Sequence, residues 1–307
     1  MIANFFNKTK PVVFFIVSLM LFLYYIVALF QFKFEVFSFF WLLHKIGVFL
    51  LFVAFLLIAS FIIRKNTLTQ NNSYAILLMA VLLGTFYEAM FANDIIISTI
   101  LLLLGFRKIY SLKSGLKTKL KLYDASFWFG VAALVYCWSI LYVVLIYVTL
   151  IIYHRITIKN FIIPLIGLAT PIFIYFTYCF YFDNLEQFYN CWLFRSNFKY
   201  YNYNDFRLLI PIAVTLATVI WSILVLTPKV SVSGINVRRA WRVVLNHLII
   251  SAIIIAFSPK KDGSEMLFMV FPVSVVVTNF LRVSTSENFK NLILYLFLLI
   301  SISVYFL

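Results

Sequence analysis

The chain has 307 residues, 64% of them hydrophobic, 20% aromatic and only 11% charged, with a formal net charge of +15. Soluble domains carry about 25% charged residues, so this composition excludes a water-soluble globular protein. Long uninterrupted apolar runs exclude a β-barrel, and with no recognition motif for nucleic acid the positive charge is assigned to positive-inside sorting.

The expected fold is all-α, a polytopic transmembrane helical bundle. A helix needs about 20 apolar residues to cross the hydrocarbon core, which gives about eleven spans. No linker separates them, so residues 1–307 read as a single integral membrane domain. The first run, Pro11 to Phe30, is long enough to span and lacks a small-residue cleavage site, so it reads as a helix rather than a signal peptide. Lys8 and Lys10 hold its start inside. A short outer segment then carries Glu35 between Lys33 and His44. The second helix returns to Arg64 and Lys65, and the polar stretch Asn66 to Ser73 marks a turn.

The third helix, Tyr74 to about Tyr87, leads outward to Glu88, Asn93 and Asp94. The fourth returns to a basic inner segment, Arg107 to Asp124, which reads equally as an amphipathic helix on the anionic inner leaflet or as a plain positive-inside loop. The run Ser126 to Tyr153 is long for one span and short for two. A hairpin turning near Tyr136 to Ser139 sorts the charges better. A helix marked by Pro164, Gly167 and Pro171 then opens the largest outer loop, Tyr181 to Arg207.

That loop is dense in aromatic and Asn residues. It reads either as an interfacial aromatic belt or as a ligand or partner surface, since aromatic faces interleaved with amides can hold a sugar. Its candidates are Tyr189, Trp192, Arg195, Tyr200, Tyr203 and Arg207, joined by Glu88, Asn93 and Asp94. Four further helices follow, separated by a basic inner loop with Arg238, Arg239 and Arg242, by a mixed-charge outer loop, Ser258 to Glu265, and by a last inner turn with Arg282, Glu287 and Lys290. The last helix ends outside, so the N-terminus is cytoplasmic and the C-terminus periplasmic. Cys137, Cys179 and Cys191 have neither disulfide-framework nor metal spacing, and no metal site or cofactor is expected.

The stretch Phe86 to Phe173 resembles the core of the GT-C class of polyprenyl-linked glycosyltransferases. The shared features are Glu88, Asn93 and Asp94 outside, a helix ending in FRKIYSL, a basic inner loop, the hairpin entry YDASFWFGVAALVY and the helix at IGLATP. The whole chain also resembles an uncharacterised family of multi-spanning inner-membrane proteins from Bacteroidota. GT-C enzymes generally place a catalytic carboxylate in a sizeable first outer loop, whereas here that loop is short and carries only Glu35. The resemblance therefore implies a non-catalytic or catalytically degenerate subunit of cell-envelope assembly in the bacterial cytoplasmic membrane. Its partners would be membrane lipids, a polyprenyl-linked lipid among them, or other envelope membrane proteins. The alternative is a transferase using a polyprenyl-phosphate sugar, with Glu35 as base and Arg195 or Arg207 meeting the donor phosphate. A transporter is the third class, weakened by the lack of an inverted repeat.

Overall fold

The computed structural model describes residues 2–31 and 38–307. In chain order its helices are α1 (Ile2–Phe6), α2 (Pro11–Gln31), α3 (Phe39–Asn66), α4 (Tyr74–Thr85), α5 (Asn93–Tyr110), α6 (Thr118–Val135) and α7 (Val143–Ile152). They continue as α8 (Ile158–Tyr181), α9 (Leu185–Cys191), α10 (Phe206–Ser231), α11 (Ile235–Phe257), α12 (Leu267–Val283) and α13 (Glu287–Ser303). The described residues are thus predominantly helical, with short 3₁₀ turns at some of the junctions. Seven helices are long and apolar enough to cross a membrane, by length and composition. Two shorter apolar segments, Tyr74–Thr85 and Cys137–Ile152, fall below that length.

Several boundaries differ from those expected. α4 stops at Thr85 because Phe86 leaves the helical region, at φ −102° and ψ 59°, and a 3₁₀ turn, Tyr87–Phe91, follows. At 1.5 Å per residue such a helix measures about 18 Å, against a hydrocarbon core of about 30 Å. The basic segment forms no helix of its own. Arg107 and Lys108 finish α5, the turn Ser111–Ser114 follows, and α6 already begins at Thr118. Arg155 fixes this junction, its Nη1 donating to the Gly115 carbonyl at 3.2 Å and to Thr118 Oγ1 at 3.1 Å. The break after α6 falls at Tyr136, whose backbone is extended.

The chain groups into two compact units, one from Met1–Ile96, Lys199–Val232 and Lys260–Leu307, the other from Ile97–Phe198 and Ser233–Pro259. In the first, α4 is the core: all its residues are buried, and it packs on α2, α12 and α13. A helix that is apolar all round must be covered all round. Polar pins hold this packing in register, with Tyr24 Oη 2.5 Å from Ser301 Oγ and Tyr305 Oη donating to the Gly84 carbonyl at 2.9 Å. In the second unit α6 lies close against α8, since a Cβ on Gly167 would stand 2.1 Å from Ser126 Oγ and one on Gly130 would stand 2.7 Å from Pro171 Cγ. Buried hydroxyls add to the packing: Tyr110 Oη is 2.9 Å from His247 Nδ1, and Tyr142 Oη is 2.9 Å from Ser251 Oγ. Such contacts and small residues join helices where lipid removes the hydrophobic drive.

The outward surfaces of α8 and α10 are apolar, with Ile166, Phe173, Ile220 and Trp221 all exposed. An apolar surface of that extent marks a membrane or a partner. With the span-length helices, the architecture is that of a membrane protein.

Candidate functional site

The site lies in the first unit, where three separate parts of the chain meet. The 3₁₀ turn after α4 brings Tyr87 and Glu88; the segment before α10 brings Tyr200 to Arg207; the turn before α12 brings Lys260 to Glu265. Together they line a cavity of about 770 Å³. Glu88, Phe91 and Ala92 form one wall, Tyr201, Asn202, Asn204, Asp205, Arg207 and Leu208 a second, and Lys260 and Asp262 a third.

The central contact is between Arg207 and Glu88, whose Nη2 and Oε1 are 2.5 Å apart. The Glu88 side chain is 8% exposed and that of Arg207 33%. The guanidinium also lies over the Tyr87 ring, 4.9 Å from its centroid. Burial pushes the Glu88 carboxyl above its ordinary range, while Arg207 pulls it down. Burial likewise pushes the Tyr87 phenol up to about 12, with the Glu88 charge adding to the shift. Among the described residues, Glu88 Oε2 and Arg207 Nε are buried with no hydrogen-bond partner.

Around this pair, each turn is shaped by local chemistry. Asp205 caps α10, its Oδ1 accepting from the Arg207 amide at 3.1 Å. Gly263 sits at φ 98°, and a Cβ there would stand 2.8 Å from Leu208 Cδ2 and 3.4 Å from Glu88 Oε2, so the turn needs glycine. Asp262 Oδ1 accepts from Ser264 through both its amide, at 3.0 Å, and its hydroxyl, at 2.6 Å. Glu265 is fully buried and accepts from the Tyr203 hydroxyl and from the Gly263 amide. Burial and then the Glu265 charge push the Tyr203 phenol far above its ordinary range. Lys261, itself buried, places its ammonium 4.8 Å from the centroid of the Tyr200 ring. These bonds fasten the Tyr200 to Arg207 segment down against the turn before α12.

The candidates named from sequence divide accordingly. Glu88 and Arg207 pair; Tyr200 and Tyr203 fasten the wall; Asp94 receives Lys260 at 2.9 and 3.0 Å through its two oxygens. Asn93 stands apart from this group, its amide nitrogen 3.2 Å from His44 Nε2 on the exposed surface. Tyr189, Trp192 and Arg195 belong to the second unit. There Tyr189 and Trp192 pack with Phe188, and the Arg195 carbonyl accepts from Trp138 Nε1 at 2.9 Å. Glu35 lies outside the described residues.

Glu88, expected at the outer end of a helix, is buried there and paired. Lys260, Lys261, Asp262 and Glu265, which the sequence offers only as an outer loop of mixed charge, complete the site. The available signal was that every one of these charges falls on the side expected to face outward. Among the described residues no three His, Cys, Asp or Glu side chains gather as a metal site.

A family model described as "Family of unknown function (DUF6427)" matches residues 5–307. No curated protein matches the chain, and no solved structure matches it.

Proposed function

The chain belongs to the DUF6427 family, and we propose that it is a membrane-embedded binding protein of the bacterial cell envelope whose cavity receives the polar head group of a lipid. The observation that carries this reading is the cavity of about 770 Å³ itself, where three segments expected on the outer side converge beside long apolar helices. Sites of about 300–1,000 Å³ are typical for small ligands. In this reading the chain is a GT-C-like bundle of about eleven spans in the cytoplasmic membrane, N-terminus inside and C-terminus outside. It serves envelope assembly without chemistry of its own, holding a lipid for a membrane-protein partner; a polyprenyl-linked lipid would seat its sugar, with the phosphate outside the cavity.

The test is native mass spectrometry of the full chain released from its own membrane. A co-purifying lipid is expected on the wild type and is expected to be lost from Asn204→Trp, which fills the cavity from an exposed wall residue. Retention of the same lipid by Asn204→Trp would sink the reading.

One observation favours the transferase alternative. Glu88 borders the cavity with a carboxyl whose proton affinity burial has raised, as enzymes tune a general base. Glu88, or Glu35, would take the proton of an acceptor hydroxyl as the sugar passes to that oxygen and the polyprenyl phosphate leaves. Turnover of a polyprenyl-phosphate sugar by the purified chain, abolished in Glu88→Gln or Glu35→Gln, would put this alternative first.

A further inference from the structure

We infer that the head group the cavity accepts is uncharged and rich in hydroxyls, a glycosyl head group rather than a phosphate or other bare anion; this rests on reading the cavity as a lipid head-group site. The first argument is charge. Three carboxylates, of Glu88, Asp205 and Asp262, line the cavity against two cations, Arg207 and Lys260. Neither cation is uncommitted: Arg207 holds Glu88 at 2.5 Å, and Lys260 holds both oxygens of Asp94. The N-terminus of α10, which would otherwise attract an anion, is already capped by Asp205. A phosphate would have to break an existing ion pair and sit among carboxylates.

The second argument is hydrogen-bond capacity. Glu88 Oε2 is an acceptor without a partner and Arg207 Nε a donor without one, both buried at the wall of the same cavity. A hydroxyl satisfies both kinds of group at once, donating to the carboxylate and accepting from the guanidinium. A small rotation of the Glu88 carboxylate brings it to such a ligand, and buried groups left unmet are costly enough to favour that movement. The rest of the wall has the same character. The amides of Asn202 and Asn204 each offer donors and an acceptor, and the Tyr201 ring, 83% exposed, supplies a flat apolar face for the carbon side of a sugar ring. Glu88 and Arg207 are on this account the residues that set head-group specificity.

The experiment uses the full chain in lipid nanodiscs and compares monoglucosyl diacylglycerol with phosphatidylglycerol of the same acyl chains, by competition at two salt concentrations. Monoglucosyl diacylglycerol is expected to bind at least about tenfold more tightly, with little salt dependence. Glu88→Gln and Tyr201→Ala are each expected to weaken it by about tenfold, the effect of losing one hydrogen bond to a charged group or one ring contact. Glu88→Asp, which keeps the carboxylate, controls for folding and is expected to retain part of the affinity. Tighter binding of phosphatidylglycerol, falling steeply with salt, would overturn the head-group assignment and leave the lipid-binding reading standing. Methyl glucoside binding as tightly as the glycolipid would do the reverse. Binding of neither lipid by a chain with unchanged thermal stability would overturn both.

Discussion

Arg207 Nη2 meets Glu88 Oε1 at 2.5 Å, joining positions 119 residues apart and tying the first turn of α10 to the 3₁₀ turn that follows α4. Removing Arg207 strands a Glu88 side chain that is 8% exposed, and removing the Glu88 charge leaves a guanidinium that is two-thirds covered without its partner. Glu88→Gln and Arg207→Met are each expected to lower stability by about 1–3 kcal/mol, the penalty for an unsatisfied buried group. The double variant is expected to cost less than the two together, because it strands neither partner. Equilibrium unfolding in detergent measures the cycle, and strict additivity would show that the pair is uncoupled.

The same carboxyl makes stability depend on pH. Burial raises the Glu88 pKa, so just above the ordinary carboxylate range the folded state binds a proton that the unfolded state has released. Its contribution is therefore most favourable in acid and is lost as pH rises from the ordinary value through the raised one. The difference in melting temperature between wild type and Glu88→Gln isolates this contribution. It is expected to shift against the wild type across that window as pH increases, and a pH-independent difference would contradict it.

The bond from Tyr203 to Glu265 fastens the segment before α10 to the turn before α12. Glu265 is fully buried, so no water replaces this bond when it is lost. Tyr203→Phe removes the hydroxyl and leaves that carboxylate with one fewer donor, at a cost of about 1–3 kcal/mol. Hydrogen exchange is expected to accelerate in residues 199–206 while the amides of α4 stay protected. Unchanged exchange in that segment would mean that Tyr203 does not fasten it.

In the second unit the sensitive position is Gly167. A methyl there would stand 2.7 Å from the Tyr123 carbonyl as well as striking Ser126 Oγ. Gly167→Ala is expected to part α6 from α8 and lower stability by about 1–3 kcal/mol, as overpacking does. Gly47→Ala, with open space around its Cβ, is the control and should leave the melting temperature nearly unchanged.

Orientation is tested separately. Short basic loops remain cytoplasmic, so a cysteine placed between Lys113 and Lys121 is expected to resist an impermeant thiol reagent in intact cells. One placed at Asn204 is expected to react. Labelling in the opposite sense would invert the topology and put the cavity inside.

The sequence by itself determined the membrane class and the helical architecture, because a bilayer accepts few backbone solutions and long apolar runs declare them. The helix break at Tyr136 was also legible there, through charge sorting alone. What only the tertiary structure decided was depth and partnership. Nothing in the run from Tyr74 to Tyr87 distinguishes a lipid-facing helix from the short, wholly buried α4, since burial in protein and burial in lipid select the same side chains. Asn93 and Asp94 are neighbours in sequence, yet one reaches His44 and the other Lys260. Glu88 and Lys260 came from segments that looked like ordinary outer turns, and neither a carboxylate's burial nor its ion-pair partner leaves a periodic trace. Those properties arise when α4, α10 and α12 pack and bring three distant turns to one cavity, which is a matter of long-range contacts that local pattern does not encode.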